Sequence, residues 1–139
     1  MEKVVSTGLK IDLHIHSSKS KFKDDGVVSG GTIANINILI DKLNKNQVNV
    51  CSVSDHDSFD YAIYSKLKEE EGKGSIVKVF PAVEFTVSFT ENELNVVHVV
   101  CVFDDTNDEK IKKIEDVLKF DEKTDRPKYD KEDSFSENR

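Results

Sequence analysis

The segment 11–17 reads Ile11-Asp12-Leu13-His14-Ile15-His16-Ser17. Side chains alternate between the two faces of an extended chain, so Asp12, His14 and His16 share one face and the three aliphatic residues share the other. Neutral imidazole is a common ligand of transition metals, and a His-x-His pattern at a strand end brings two ring nitrogens to the same side. The segment therefore predicts a β-strand that carries either half of a metal site or a pair of partly exposed histidines.

The rest of the chain alternates apolar patterns of helical and strand spacing. The predicted elements are, in order, a helix over 32–46 that begins at Thr32, a strand over 48–54, a helix capped by Ser58, a strand over 76–80, a strand over 83–89 after the break at Pro81, a strand over 94–103, and a helix with a capping box from Thr106 and Glu109. Strands that alternate with helices are typical of an α/β fold with parallel strands.

Histidines occur only in or directly after the predicted strands. The chain has four of them, His14, His16, His56 and His98. In parallel α/β folds the carboxyl edge of the sheet is where ligands bind. Glu84 lies in an apolar strand, where a carboxylate is costly unless it is paired or coordinates a cation. We therefore expect Glu84 and the histidines to form one site, although His98 taken alone also fits a core histidine bonded to backbone.

Two carboxylates flank the third histidine. Asp55 and Asp57 lie on either side of His56, and each can act as a metal ligand or as an acceptor that orients an imidazole. For Asp57 the capping of a helix is the simpler interpretation. Further carboxylates, Asp24 and Asp25, follow the alternating Lys19, Lys21 and Lys23 in the loop after the first strand; this loop is either solvated or a phosphate-attracting lip with a spare ligand.

Four motifs occur in the order and spacing of the PHP (polymerase and histidinol phosphatase) domain, which the chain resembles over about residues 9–120. They are segment 11–17, Ser52-Val53-Ser54-Asp55-His56-Asp57, Phe80-Pro81-Ala82-Val83-Glu84-Phe85 and Val97-His98-Val99-Val100. The resemblance implies that the α/β fold is an incomplete, distorted β/α barrel. Two features depart from the family: Ala82 stands where a glycine is usual, and the later motifs, a further His and a terminal Asp-x-His, are not found in this chain.

The resemblance implies a hydrolase, a metal-dependent phosphoesterase or nuclease that acts on a phosphomonoester or a nucleic-acid phosphodiester with divalent Zn, Mn or Fe. His14 and His16 would hold one ion, Glu84 would bridge it to a second ion at His98, and His56 would belong to a third. His56 or Asp55 would position or protonate the leaving oxygen. Since the second ion would have only two ligands, we expect about one tightly bound metal and weak hydrolysis.

An alternative hypothesis is that the chain is a degenerate, non-catalytic module that contributes contacts to a larger assembly. The second and fourth motifs are most similar to PHP domains fused ahead of ATPase modules in bacterial DNA-repair or defence proteins. The expected partners are thus a phosphate ester or nucleic-acid substrate, an ATPase module of a longer parent protein, or a second copy of the chain. Self-association is expected because the apolar strand 94–103 has no later strand to pair with.

Length and composition restrict the number of domains and the way in which the chain could bind nucleic acid. With 139 residues, 37% of them hydrophobic, we expect one domain over 1–120. Residues 121–139, of which 12 are charged, are expected to be a disordered tail or linker. The net charge of −7 argues against nucleic-acid binding by bulk electrostatics.

The sequence also bears on compartment and on the thiols. No apolar run approaches the roughly 20 residues that span a bilayer, and residues 1–10 lack the apolar core of a secretory signal. We expect a cytoplasmic protein without membrane contact. Cys51 and Cys101, each within an apolar run, are then expected to be buried free thiols.

Overall fold

The computed structural model describes residues 8–20, 27–88 and 96–118. Within them the fold is mixed α/β, with a curled half-barrel sheet and three helices. The strands are β1 (Ile11–Ile15), β2 (Val50–His56), β3 (Lys78–Val79), β4 (Ala82–Ser88) and β5 (Val96–Val102). The helices are α1 (Ile36–Lys45), α2 (Tyr61–Lys68) and α3 (Asp108–Val117), with short 3₁₀ turns at Ser18–Ser20 and Ile33–Asn35.

The sheet has the order β1-β2-β4-β5, and β3 pairs with the start of β2. Strands β1, β3 and β4 all run parallel to β2. Strands β3 and β4 pair one after the other with the same strand, β2: Lys78 is the partner of Val50, and Ala82 is the partner of Ser54. The predicted break at Pro81 is therefore confirmed; a proline cannot donate to the ladder.

The last strand corrects the expectation of a parallel sheet. Strand β5 pairs with β4 antiparallel along its whole length, from Ala82 and Val102 to Ser88 and Val96. Only the seven residues 89–95 separate the two strands. A crossover between parallel strands needs about a dozen residues or more, so this connection permits only the antiparallel arrangement.

The hydrophobic core lies between one face of the sheet and the helices. Its buried side chains include Ile36, Ile40 and Leu43 of α1, Ile63, Tyr64 and Leu67 of α2, Cys51, Val79 and Val83 of the sheet, and Ile111 of α3. Full burial of such an aliphatic side chain contributes about 1.5–3 kcal/mol. Because the side chains of a strand alternate, the opposite face of the sheet carries the histidines and Glu84.

Helix starts differ from the sequence prediction. Asp60 rather than Ser58 caps α2, with its side chain accepting from the N–H of Ile63. The side chain of Asn107 caps α3, so the predicted capping box of Thr106 is wrong. Helix α1 begins after the 3₁₀ turn, and the hydroxyl of Thr32 makes no capping bond. Asn is a stronger cap than Thr, which agrees with the choice of Asn107 over Thr106.

The described residues also test the smaller predictions. Cys51 is buried and free, and burial raises the pKa of its thiol to about 11. Cys101 is free but only half-buried, contrary to expectation, because it lies on β5, an edge strand of the sheet that the described residues form. No helix within 8–20, 27–88 and 96–118 has the length and apolar composition to cross a membrane. Lys21, Lys23, Asp24, Asp25 and the tail 121–139 lie outside the described residues.

Candidate metal centre

The sheet brings the predicted site residues together on one face. His14 lies in β1, His16 follows it directly, and His56 is the last residue of β2. His56 is the register partner of Glu84 across the parallel pair. On the other side, His98 is the register partner of Thr86, which shares a face with Glu84 two residues away. We call these five residues, His14, His16, His56, Glu84 and His98, the His/Glu cluster.

Glu84 is the centre of the His/Glu cluster. Its Oε2 accepts hydrogen bonds from Nε2 of His14 at 2.9 Å and from Nε2 of His16 at 2.7 Å. Nδ1 of His56 lies 3.5 Å from the same oxygen. The other oxygen, Oε1, accepts from Nδ1 of His98 at 3.0 Å. An ionised carboxylate only accepts hydrogen bonds, so the imidazole nitrogens act as donors.

Burial varies across the His/Glu cluster. Glu84 and His56 are only 2% and 4% exposed. The side chains of His14 and His98 are 58% and 46% exposed, and that of His16 is 17% exposed. The carboxylate thus lies at the bottom of the cluster, while two of its imidazoles are open to solvent.

The buried carboxylate is kept ionised by its neighbours. Burial raises the pKa of Glu84. Hydrogen bonds from His14 and His16, together with the charges of His14 and His56, lower the pKa by more than burial raises it, so the net pKa lies below the ordinary value. This satisfies the expectation that a carboxylate in an apolar strand must have a partner.

Two sets of three residues can each hold a metal ion. The first ligand group is His14, His16 and Glu84, and the second ligand group is His56, Glu84 and His98. Within each group one ligand atom per residue lies within 4.8 Å of the others. The sequence expectation gave the second ion only Glu84 and His98; the curl of the sheet adds His56, whose ring centroid is 5.1 Å from that of His98.

Asp55 is held by serines of the loop that follows β1. The carboxylate is 1% exposed. Its Oδ1 accepts from the N–H of Ser17 at 2.6 Å and from Oγ of Ser20 at 2.8 Å, and its Oδ2 accepts from Oγ of Ser17 at 2.6 Å. Oγ of Ser20 in turn accepts from the N–H of His56 at 2.9 Å. We call Ser17, Ser20 and Asp55 the serine–aspartate network.

Burial raises the pKa of Asp55 despite these hydrogen bonds, which act in the opposite direction. Sequence reasoning missed both serines. The available signal was a pair of hydroxyl residues within four positions of His16, but which carboxylate they bind depends on the pairing of β1 with β2.

Asp57 fixes the turn after His56 rather than a helix end. Its backbone adopts a left-handed conformation with φ of 48°, which Asp tolerates better than most residues. Its N–H donates to the carbonyl of Glu84 at 2.9 Å, and its Oδ1 accepts from the N–H of Thr86 at 3.1 Å. The prediction of a helix cap at Asp57 is therefore wrong, and the residue joins the turn to the strand of Glu84.

No family model matches the chain, and a search of curated proteins finds no match.

Proposed function

We propose that the chain is a PHP-type phosphoesterase that hydrolyses a phosphate ester with two divalent ions such as Zn, Mn or Fe. The observation that carries the proposal is the division of one buried carboxylate between two ligand groups. Glu84 offers Oε2 to His14 and His16 and Oε1 to His98 of β5, while Nδ1 of His56 lies 3.5 Å from Oε2. A carboxylate with imidazole partners at both of its oxygens is suited to hold two cations side by side.

The chemistry of the donors fits such ions. Each ligand group combines two imidazole nitrogens with a carboxylate oxygen, a set that borderline transition metals select. Catalytic sites typically have three protein ligands and one open position, and the exposed rings of His14 and His98 leave a solvent-facing side. The first ligand group would hold one ion and the second ligand group the other.

A bound pair of divalent ions lowers the pKa of water and stabilises charge that develops on phosphoryl oxygens. The contribution of the chain is to point imidazole nitrogens of several strands at one carboxylate before substrate arrives. His56 is better suited to be a ligand than to protonate a leaving group, since its side chain is 6% exposed and its Nδ1 faces Glu84.

One lysine that follows His16 in the sequence, Lys19, is compatible with a phosphate substrate. Lys19 lies in the 3₁₀ turn three residues after His16, its side chain is 42% exposed, and its Nζ lies 3.8 Å from Oε1 of Glu115. An exposed lysine at this distance from a carboxylate is only weakly paired. Lys19 is therefore not strongly held by Glu115, which is compatible with a phosphate ester of either class as substrate.

The edges of the sheet favour a second candidate, a non-catalytic module of a larger assembly. In the described part of the chain, the edge strand β5 exposes Val97 and Val99 at 41% and 40%. On the opposite side, Leu9 and Ile11 are 62% and 57% exposed at β1. Apolar residues at both edges of a sheet are typical of surfaces that contact other chains.

Hydrolysis of chromogenic phosphate esters tests the proposed activity. With added Mn²⁺, we expect the chain to hydrolyse a nitrophenyl phosphodiester or phosphomonoester, and whichever of the two turns over identifies the substrate class. The Glu84→Gln variant should lose this turnover because it removes a ligand from both groups. The matched control is Glu109→Gln, a change of the same type on the exposed surface of α3.

Metal content measured on the same samples separates the two candidates. Two bound ions without turnover would contradict the phosphoesterase and favour the non-catalytic module. The absence of bound metal after incubation with Zn²⁺ or Mn²⁺ would contradict the metal centre itself.

A further inference from the structure

The backbone ladder between β1 and β2 does not fix the position of His16. The register between the two strands shifts between Asp12 and Ile15, and Ile15 with Val53 is the last pair. His16 therefore lies one residue beyond the pairing that orients the rest of β1. Its Nε2 nevertheless makes the shortest hydrogen bond to Glu84, at 2.7 Å. Another contact must hold the chain at this point.

The serine–aspartate network supplies such a contact, beside the hydrogen bond from the N–H of Ser18 to the carbonyl of Gly31 at 2.9 Å. The peptide between His16 and Ser17 is anchored because the N–H of Ser17 donates to Asp55 at 2.6 Å. The backbone of His56 is anchored through Ser20, whose hydroxyl donates to Asp55 and accepts from the N–H of His56. One buried carboxylate thus anchors the backbone beside two histidines, one directly after β1 and one at the end of β2, whose ring centroids are 4.4 Å apart.

The chemistry of a carboxylate explains why an aspartate occupies this position. The three donors that point at Asp55 need two acceptor oxygens with several lone pairs, and a carboxylate provides them without any donor of its own. Hydrogen bonds to an ionised acceptor are also roughly twice as strong as neutral ones. The two ligand groups found among the described residues do not include Asp55.

We propose that Asp55 is a positioning residue for both ligand groups: acting through Ser17 and Ser20, it sets the separation of His16 and His56 and thereby the metal affinity of the whole His/Glu cluster. The proposal rests on the metal centre of the proposed function. It assigns Asp55 a role different from that of a metal ligand or a proton donor to the leaving group.

The test is a Zn²⁺ titration of the metal-stripped full chain by calorimetry at low temperature. Loss of contacts behind a metal site typically lowers metal affinity about 10- to 100-fold, and we expect this loss at both binding steps in Asp55→Ala. Asp55→Asn should lie between Asp55→Ala and the wild type, since its amide oxygen still accepts from Ser17 and Ser20. Ser20→Ala should weaken chiefly the step that involves His56. The steps are assigned with His14→Ala and His98→Ala.

The matched control is Ser52→Ala. Ser52 is also fully buried on β2 and its hydroxyl also donates to another strand, at the carbonyl of Leu13, but it is not part of the serine–aspartate network. Zn²⁺ affinity should be unchanged in this variant. Thermal unfolding in EDTA is recorded for every variant, so that a general loss of stability is distinguished from a loss of affinity in the folded protein.

Each outcome decides the proposal. Wild-type affinity in Asp55→Ala would overturn it, as would an Asp55→Asn variant no better than Asp55→Ala, which would indicate a ligand or a charge-dependent role. If Asp55→Ala does not fold, Ser20→Ala decides: a selective loss at the His56 step supports the proposal and equal affinities overturn it. Failure of the wild type to bind either Zn²⁺ or Mn²⁺ would overturn the proposed function, and this proposal with it.

Discussion

Nε2 of His16 lies 2.7 Å from Oε2 of Glu84, although β2 separates the strands from which they come. In a flat sheet the second neighbour is about 10 Å away, since adjacent strands are about 4.7–4.9 Å apart. The curl of the half-barrel sheet, together with the position of His16 beyond the end of β1, closes this distance. The contact between His16 and Glu84 therefore depends both on the curvature of the sheet and on the course of the chain after β1.

Metal should stabilise the wild-type chain and not the Glu84→Gln variant. A ligand that binds only the folded state at 100 times its dissociation constant stabilises it by about 2.7 kcal/mol. We expect Zn²⁺ to raise the thermal midpoint of the wild type and of the exposed control Glu109→Gln, and to leave that of Glu84→Gln unchanged. Differential scanning calorimetry with and without Zn²⁺ measures the effect; an equal rise in all three proteins would place the metal elsewhere.

Single histidine variants should remove one ion each. His14 belongs only to the first ligand group and His98 only to the second. Elemental analysis should find the wild type with two ions, His14→Ala and His98→Ala with one each, and the double variant with none. Each single variant serves as the control for the other, because both rings are solvent-exposed. Loss of both ions from either single variant would contradict two separable groups.

Acid should remove the contribution of Asp105 to the stability of the folded chain. Its Oδ2 lies 2.6 Å from Nζ of Lys68 and 2.5 Å from Nζ of Lys78. Hydrogen bonds from these lysines lower the pKa of Asp105 from 3.8 to about 2. Because the pKa is lower in the folded state, the stabilisation is fully present above about pH 4 and is lost as the pH falls toward 2.

Urea unfolding of Asp105→Asn against the wild type measures this contribution. The lysines are partly exposed, at 28% and 38%, so we expect the variant to be less stable by about 1 kcal/mol at pH 5. The difference should shrink at pH 3. The control is Asp41→Asn, an exposed position on α1. A difference that stays constant between pH 5 and pH 3 would show that charge is not its source.

Two adjacent glycines should respond oppositely to alanine. A Cβ at Gly31 would lie 3.2 Å from Cα of Ser17 and 3.1 Å from the carbonyl oxygen of Val28, whereas a Cβ at Gly30 would meet nothing within 4 Å. Backbone atoms cannot move far to relieve such close contacts, so the Gly31→Ala variant should be less stable by roughly 1–3 kcal/mol. Gly30→Ala should match or slightly exceed the wild type, by about 0.5 kcal/mol. Urea unfolding compares them; equal stabilities would contradict the close approach at Gly31.

The exposed edge at β5 should cause self-association. Val99 is 40% exposed on the face of β5 opposite His98. We expect the wild type to form dimers or larger species by light scattering, and Val99→Lys to shift the chain toward monomer because a charge on an edge strand opposes pairing. The control is Val117→Lys on α3, where valine is 74% exposed. A monomeric wild type would contradict the prediction unless the tail 121–139 covers this edge, which slow amide exchange in the tail would reveal.

The sequence was sufficient to predict which residues share a face. The period of two in β1 and the isolated charge of Glu84 in an apolar strand both depend on local chemistry, and the structure confirms that these residues meet. The direction of β5 does not follow from the alternation of strands and helices, because the connection between β4 and β5 is too short to contain a crossover helix.

Features that depend on curvature and on loop course could not be predicted. The place of His56 in the second ligand group requires the sheet to curl toward β5, which no local pattern encodes. Likewise, Asp55 looked like a reactive carboxylate beside a histidine, and only the path of residues 17–20 shows that serines surround it. The predicted caps of α2 and α3 were wrong by two positions and by one position because several polar residues there compete for the same N–H groups.

Glu84 meets His14 and His16 across 70 and 68 residues of sequence, but meets His98 across only 14. Long loops are closed late in folding because their entropy must be offset by other contacts first. The hairpin of β4 and β5 can therefore bring Glu84 and His98 together early, while the first ligand group exists only after β1 has docked. An ion bound by the first ligand group would then slow unfolding more than it accelerates folding. Its release would occur when β1 separates from β2.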